Sequence, residues 1–177
     1  MKRLFLTSTG LSTSELQKRF FDEVDMPAEN IKVLFIPTAA VDDEAKAVLP
    51  LCRDDVLNLG VPEKNITVYD LDRNLTEEEI AAYNMIYVCG GSPEYLLSRM
   101  NAVGFSDTLK TAFEHDVIYI GVSAGSIVCG ANLSDNLGYC EKTIGVHCTT
   151  HICNGERIDL TDNQALFVKD AETYIIN

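Results

Sequence analysis

The chain has no tryptophan, and only 8% of its residues are aromatic. It therefore offers no platform on which nucleic-acid bases could stack. Positive charge is scarce too: 14 lysines and arginines stand against 27 acidic residues, a formal net charge of −13. A carboxylate excess that large argues against nucleic acid or an anionic membrane surface as a partner. No apolar stretch reaches membrane-spanning length. The N-terminal run Leu4-Phe5-Leu6 is too short for a signal-peptide core, and polar residues follow at once, so a cytoplasmic location is expected. The six cysteines, at 52, 89, 129, 140, 148 and 153, form no CxxC pair. In a reducing compartment they are read as free thiols. There are only three histidines, His115, His147 and His151, so any imidazole base must be one of them.

With 177 residues and 46% hydrophobic content, the chain is expected to form one domain, residues 1–177, with a real core. Apolar runs alternate with helix-like runs. Strands are expected at 3–8, 32–37, 65–71, 85–89 and 117–122, and helices at 14–24, 42–59, 93–100 and 105–115. Pro50 should interrupt the second helix or make it start late. Thr76-Glu77-Glu78-Glu79 resembles a capping box. Three short strands, 157–160, 165–169 and 173–176, close the chain. Repeated β-α alternation of this kind predicts an α/β fold, a three-layer, doubly wound, mostly parallel sheet.

Val117 to Val122 leads directly into Gly121-Val122-Ser123-Ala124-Gly125. A strand, a sharp turn with small neighbours and a following helix make a nucleophile elbow. Ser123 is then the reactive serine. The next helix would aim amide hydrogens and its positive dipole end at developing negative charge, with the Ala124 amide as an oxyanion donor. Cys89-Gly90-Gly91-Ser92 also follows a buried strand. Ligands of open α/β sheets bind at such strand ends, and the Gly91 amide could complete an oxyanion hole. The bland alternatives are an inert serine in a tight turn and a plain turn capped by Ser92.

A serine nucleophile needs a general base, usually histidine. His115 sits at a polar helix end and suits that place electrostatically. His151 is the preferred base and His147 the next. Either could instead be a surface or packing residue. Asp135 and Glu141 are the nearest acids after the elbow, and a Ser–His dyad is the alternative. Cys140, His147, Cys148, His151 and Cys153 could together suggest zinc, but their spacing matches no common zinc module.

The pieces together resemble peptidase family S51, the dipeptidase E group, with its class I glutamine amidotransferase-like fold. The resemblance rests on Leu4-Phe5-Leu6-Thr7-Ser8, Phe35-Ile36-Pro37-Thr38-Ala39, Tyr87-Val88-Cys89-Gly90-Gly91 with Leu96-Leu97, Gly121 to Ser126, and Leu160-Thr161-Asp162-Asn163-Gln164-Ala165. It implies a serine peptidase with Ser123 as nucleophile and the amides of Gly91 and Ala124 as oxyanion donors. Family members cleave short peptides, often after an N-terminal aspartate, and a related branch acts on cyanophycin. No metal or other cofactor is implied. The chain departs from the family pattern where the histidine belongs. It has no Pro-His-Tyr or Pro-His-Phe triplet, and the interval from His151 to Leu160 is too short for the helix that usually follows. The aspartate-recognising residues have no match there.

The expected function is a serine hydrolase acting on small peptides, with Ser123, His151, Gly91 and Ala124 at its centre. Its expected partner is a small peptide, with no nucleic acid and no membrane. A homodimeric assembly is left open. The alternative is a binding or regulatory protein that keeps the elbow and has lost turnover.

Overall fold

The computed structural model describes residues 1–177. In chain order its elements are β1 (Arg3–Thr7), α1 (Ser14–Val24), β2 (Val33–Ile36), α2 (Asp43–Asn58), β3 (Ile66–Val68), α3 (Glu77–Ala81), β4 (Met85–Val88), α4 (Pro93–Ala102) and α5 (Phe105–Glu114). Then follow β5 (Ile118–Val122), α6 (Ala124–Ile127), β6 (Thr143–Gly145), β7 (Ile152–Cys153), β8 (Arg157–Asp159), β9 (Ala165–Lys169) and β10 (Glu172–Ile176). No helix is long and apolar enough to cross a membrane.

The main sheet has the order β10-β9-β1-β5-β4-β2-β3. Its five strands from β1 to β3 are parallel, while β9 and β10 run antiparallel at one edge. Successive strand residues point to opposite faces. Leu4, Leu34, Ile36, Ile86, Val88 and Tyr119 pack on one side with α3, α4 and α5. Phe5, Val33, Phe35, Met85, Tyr87 and Ile120 pack on the other with α1 and α2. The two cores make the expected three layers.

Local chemistry sets the boundaries. The Thr13 hydroxyl accepts from the Leu16 amide and starts α1, and Asp25 ends it in the left-handed region at φ 50°. Asp42 caps α2 by accepting from the Ala45 amide at 2.8 Å. Contrary to expectation, Pro50 neither interrupts nor delays this helix, which runs from Asp43 to Asn58. No residue from Asp42 to Leu51 is buried, so water can serve the Lys46 carbonyl that Pro50 leaves without an amide. The third strand is shorter than expected, Ile66–Val68 rather than 65–71. One more bond follows, from the Tyr69 amide to the Phe35 carbonyl. Leu71 then adopts φ 49° and turns the chain away.

After the elbow the expected helix is a single turn, Ala124–Ile127. A small sheet, β6-β8-β7, covers this end. Its Ile144 and Ile158 join the core on the α4–α5 side. Of this sheet only β8 was expected from sequence.

One buried hydroxyl joins the elbow to its neighbour strand. Ser126 Oγ accepts from the Thr7 amide at 2.7 Å and lies 2.8 Å from the Thr7 carbonyl and 2.9 Å from the Gly121 carbonyl. Its one hydrogen serves one of those two oxygens at a time. Ser126→Ala leaves a buried amide without this partner and should lower stability by about 1–3 kcal/mol. Urea unfolding measures this, and an unchanged midpoint would refute the role.

The capping box before α3 forms as expected. The Thr76 hydroxyl accepts from the Glu79 amide at 3.2 Å, and the Glu79 carboxylate accepts from the Thr76 amide at 2.8 Å. Arg73 donates to both oxygens of the same carboxylate, at 2.9 and 2.6 Å. The Arg73 hydrogen bonds, and then the Thr76 amide, hold the Glu79 carboxyl down to about 2. The folded value lies below the unfolded one, so the contribution is present above the unfolded value and is lost as pH falls toward about 2. In Arg73→Gln, NMR of the Glu79 carboxyl carbon should show the midpoint rising toward the ordinary carboxylate range. A midpoint that stays in place would assign the depression to Thr76 instead.

Candidate active site

β5 delivers Ser123 to the carboxyl edge of the main sheet. The residue has φ 48° and ψ −105°, a sparsely populated conformation that costs about 1–3 kcal/mol and must be held by its surroundings. Its amide donates to the Thr7 carbonyl at 3.0 Å. The turn closes only because its neighbours are small. A Cβ on Gly125 would lie 2.6 Å from the Val88 carbonyl oxygen, so the elbow packs backbone against backbone on the adjoining strand β4. Ser123 is half-buried, and its hydroxyl makes no hydrogen bond to any protein group.

The Gly90-Gly91 turn after β4 lies beside it. A Cβ on Gly90 would sit 3.1 Å from the Ser123 Cβ. Gly91 has φ 139°, and a Cβ there would fall 2.0 Å from the Ala39 carbonyl oxygen. Only glycine fits, and the Ser92 amide fixes the turn by donating to the same Ala39 carbonyl at 2.8 Å. The amides of Gly91 and Ala124 have no backbone partner. Because α6 has only four residues, a long helix dipole is not available here. The local free amides remain.

The thiols around this turn are poor nucleophiles. Burial pushes the Cys89 thiol far above its ordinary value, and burial raises Cys129 to about 12. Both stay protonated at neutral pH.

The two later histidines lie on either side of the irregular stretch between β6 and β7. His147 has φ 56°, and its amide donates to Ser8 Oγ at 3.0 Å. Ser8 follows Thr7, the residue that accepts from the Ser123 amide, so His147 is tied to the strand beside the elbow. Its Nδ1 lies 2.8 Å from Asp162 Oδ1, which leaves Nε2 unengaged. Asp162 is held in turn, because its carbonyl accepts from the Thr9 hydroxyl at 2.6 Å. His151, the base preferred from sequence, has Nδ1 2.8 Å from the Asp159 carbonyl. It is exposed and directly precedes β7 of the small sheet. Neither imidazole is hydrogen-bonded to Ser123.

The acids singled out from sequence lie elsewhere. Asp135 accepts from the Asn101 side chain at 2.6 Å, and Glu141 is exposed with no side-chain partner. The carboxylate that meets a site histidine is Asp162. In the sequence it stands only within Leu160 to Ala165, one of the segments that carry the family resemblance. His115 caps α5 as expected and pairs with Glu77 at 3.1 Å. The cysteines and histidines considered for zinc do not converge on a common point.

The family model of peptidase family S51 matches residues 4–138. An uncharacterized peptidase of Pasteurella multocida is 28% identical over 135 residues, covering 75% of this chain and 62% of that protein. The chain thus spans less than two thirds of that relative's length. An uncharacterized peptidase of Listeria monocytogenes is 27% identical over 168 residues, covering 94% of this chain and 77% of its own. The solved fold of a Listeria monocytogenes protein with a provisional peptidase E name superposes with TM-score 0.73 at 21% identity, over 99% of this chain and 98% of that one. A peptidase from an acI-B1 actinobacterium gives TM-score 0.69 at 16% identity, over 100% and 88%. These two likenesses concern the fold. The family match covers the elbow, the Gly90-Gly91 turn and all five parallel strands, and on it the chain belongs to peptidase family S51.

Proposed function

We propose that the protein is a serine peptidase acting on small peptides, with Ser123 as nucleophile. The observation that carries this reading is the strained backbone of Ser123, φ 48° and ψ −105°, beside two unpartnered amides. Strain of this kind persists only where the surroundings enforce it. Ser123 Oγ attacks the scissile carbonyl, and the Gly91 and Ala124 amides receive the oxyanion. A histidine takes the serine proton and returns it to the leaving amine. Water then hydrolyses the acyl-enzyme by the same base.

For the base, the geometry supports His147 over His151. A carboxylate on Nδ1 fixes the tautomer that leaves Nε2 as acceptor and stabilises the imidazolium that forms. His147 has that partner in Asp162 and is tethered to Ser8 beside the elbow. His151 also has Nδ1 engaged, by a backbone carbonyl, and is the second candidate. Either needs a rotamer change or a loop shift to reach Ser123, as unliganded sites commonly do.

A second reading, a ligand-binding protein without turnover, is favoured by one observation, the lack of any Ser123–imidazole hydrogen bond. Labelling with a serine-directed phosphonate, together with cleavage of a short-peptide panel, separates the two. The wild type should label and cleave, and Ser123→Ala should do neither. His147→Ala should lower kcat by about 10²–10⁴-fold, the range for a lost general base, while His151→Ala changes it much less. The reverse order would make His151 the base. A wild type that neither labels nor cleaves would leave the binding reading.

A further inference from the structure

Arginines in this acidic chain are almost all neutralised. Of six, five pair with carboxylates: Arg3 with Asp116, Arg19 with Glu23, Arg53 with Glu63, Arg73 with Glu79 and Arg157 with Asp159. Arg99 alone has no carboxylate partner. It is half-buried on α4, and its guanidinium donates to the Leu71 carbonyl at 2.7 Å, which fixes its direction while leaving other N–H groups unused.

Arg99 lines a crevice of about 630 Å³ over the carboxyl ends of β2 and β3, together with Lys46, Asp70 and Asp72. Lys46 is exposed and forms no ion pair. Asp70 is engaged by the buried Thr38 hydroxyl at 2.7 Å. Two bases and two acids leave the crevice formally neutral in a chain of net charge −13. An anion therefore meets less repulsion here than over most of the surface.

The crevice lies next to the segment that holds the Gly90-Gly91 turn. Ala40 lines it, and the neighbouring Ala39 carbonyl holds the Gly90-Gly91 turn. Ile36 is in register with Val88, and Val88 with Gly121. The ends of β2, β4 and β5 are therefore level, and two strand spacings, roughly 10 Å, separate β2 from β5. A side chain next to the scissile bond falls short of that span. Three extended residues at about 3.3–3.6 Å each cover it.

We propose that this crevice is a subsite for the C-terminal carboxylate of a short peptide, bound by Arg99 with Lys46, three residues beyond the bond that Ser123 attacks. The assignment rests on the peptidase reading for its position and on the unpaired arginine for its chemistry. A guanidinium fork receives a carboxylate in a directional, charge-assisted manner. The subsite measures the distance from the cleaved bond to the chain end, which restricts the enzyme to short substrates.

The test uses tetra-alanine, its C-terminal amide, its N-acetyl derivative, and an amide with aspartate at the third position. Binding is measured by calorimetry on Ser123→Ala, so it does not depend on turnover, and cleavage is measured on the wild type. Amidation should weaken binding about tenfold or more, and N-acetylation much less. Arg99→Gln should bring the free acid to the level of the amide and leave the amide unchanged. Lys46→Gln, on the exposed lip, should reduce the discrimination without any question of folding. Equal binding of acid and amide, or no binding of either, overturns the subsite. So does a larger loss on acetylation, which would put an ammonium on Asp70. Recovery of affinity by the internal aspartate would assign the arginine to an acidic side chain and overturn the terminal-carboxylate assignment. Acid-over-amide discrimination without Ser123-dependent cleavage or labelling would keep the subsite and remove the peptidase reading.

Discussion

The Ser126 hydroxyl is the contact on which the arrangement at the sheet's carboxyl edge depends. It is fully buried and touches β1 through Thr7 and β5 through Gly121. Ser126 lies on the single turn that follows Ser123, so the same side chain that joins two strands also stops that turn from unwinding. The strained dihedrals of Ser123 need such a brace. A helix of four residues has little cooperative stability of its own, and its geometry is imposed by what it packs against. Gly125 supplies the other half of the constraint, because its lack of a Cβ lets the turn lie directly on β4.

The brace extends to the histidines. His147, like Ser123, is a non-glycine residue at positive φ, and its amide is anchored by Ser8, the residue after the Thr7 that Ser126 holds. Elbow and imidazole are thus referred to the same strand end. The small sheet takes the place that the sequence departure left open. No helix follows the histidines, as the short interval implied, and β6, β7 and β8 order the shortened stretch by pairing with one another. Ile144 and Ile158 dock that sheet on the core. Few residues suffice here because the sheet covers an existing surface and builds no new core.

Most of the fold was legible because its signals are local. Thr76 announced a helix start by a side chain that caps an amide three residues on. Buried strands such as Val33–Ile36 announced themselves by continuous apolar runs. The misreadings arose where solvent or a distant contact decides. Pro50 was read as a break, yet it lies where water can replace the bond it removes. The segment 65–71 was read as one strand, but Leu71 leaves the sheet at positive φ. At the candidate site, Ser123 and Gly91 lie in glycine-rich turns, and those turns could be picked out. Asp162 could not be linked to His147, because fifteen residues and a change of sheet separate them. A one-turn helix could not be told from a longer one, since Ser126 to Gly130 is apolar enough for either.

On the proposed reading, the chain's charge suits a site that relies on neutral donors. In a chain with 27 acidic and 14 basic residues, a long-range positive field is not available to stabilise an oxyanion. Backbone amides avoid that limit, because their dipoles act at contact distance and do not depend on net charge. Two acids at this edge are given an occupation, while Asp72 has no partner. Asp162 meets His147, and Asp70 meets Thr38. A carboxylate that is already hydrogen-bonded projects less unsatisfied negative charge toward an incoming anion. Arg99 is the converse, a cation kept unneutralised among abundant carboxylates. Its anchor is the Leu71 carbonyl, a neutral acceptor that directs the guanidinium without cancelling its charge, which is the state in which it can still receive a carboxylate from outside the chain.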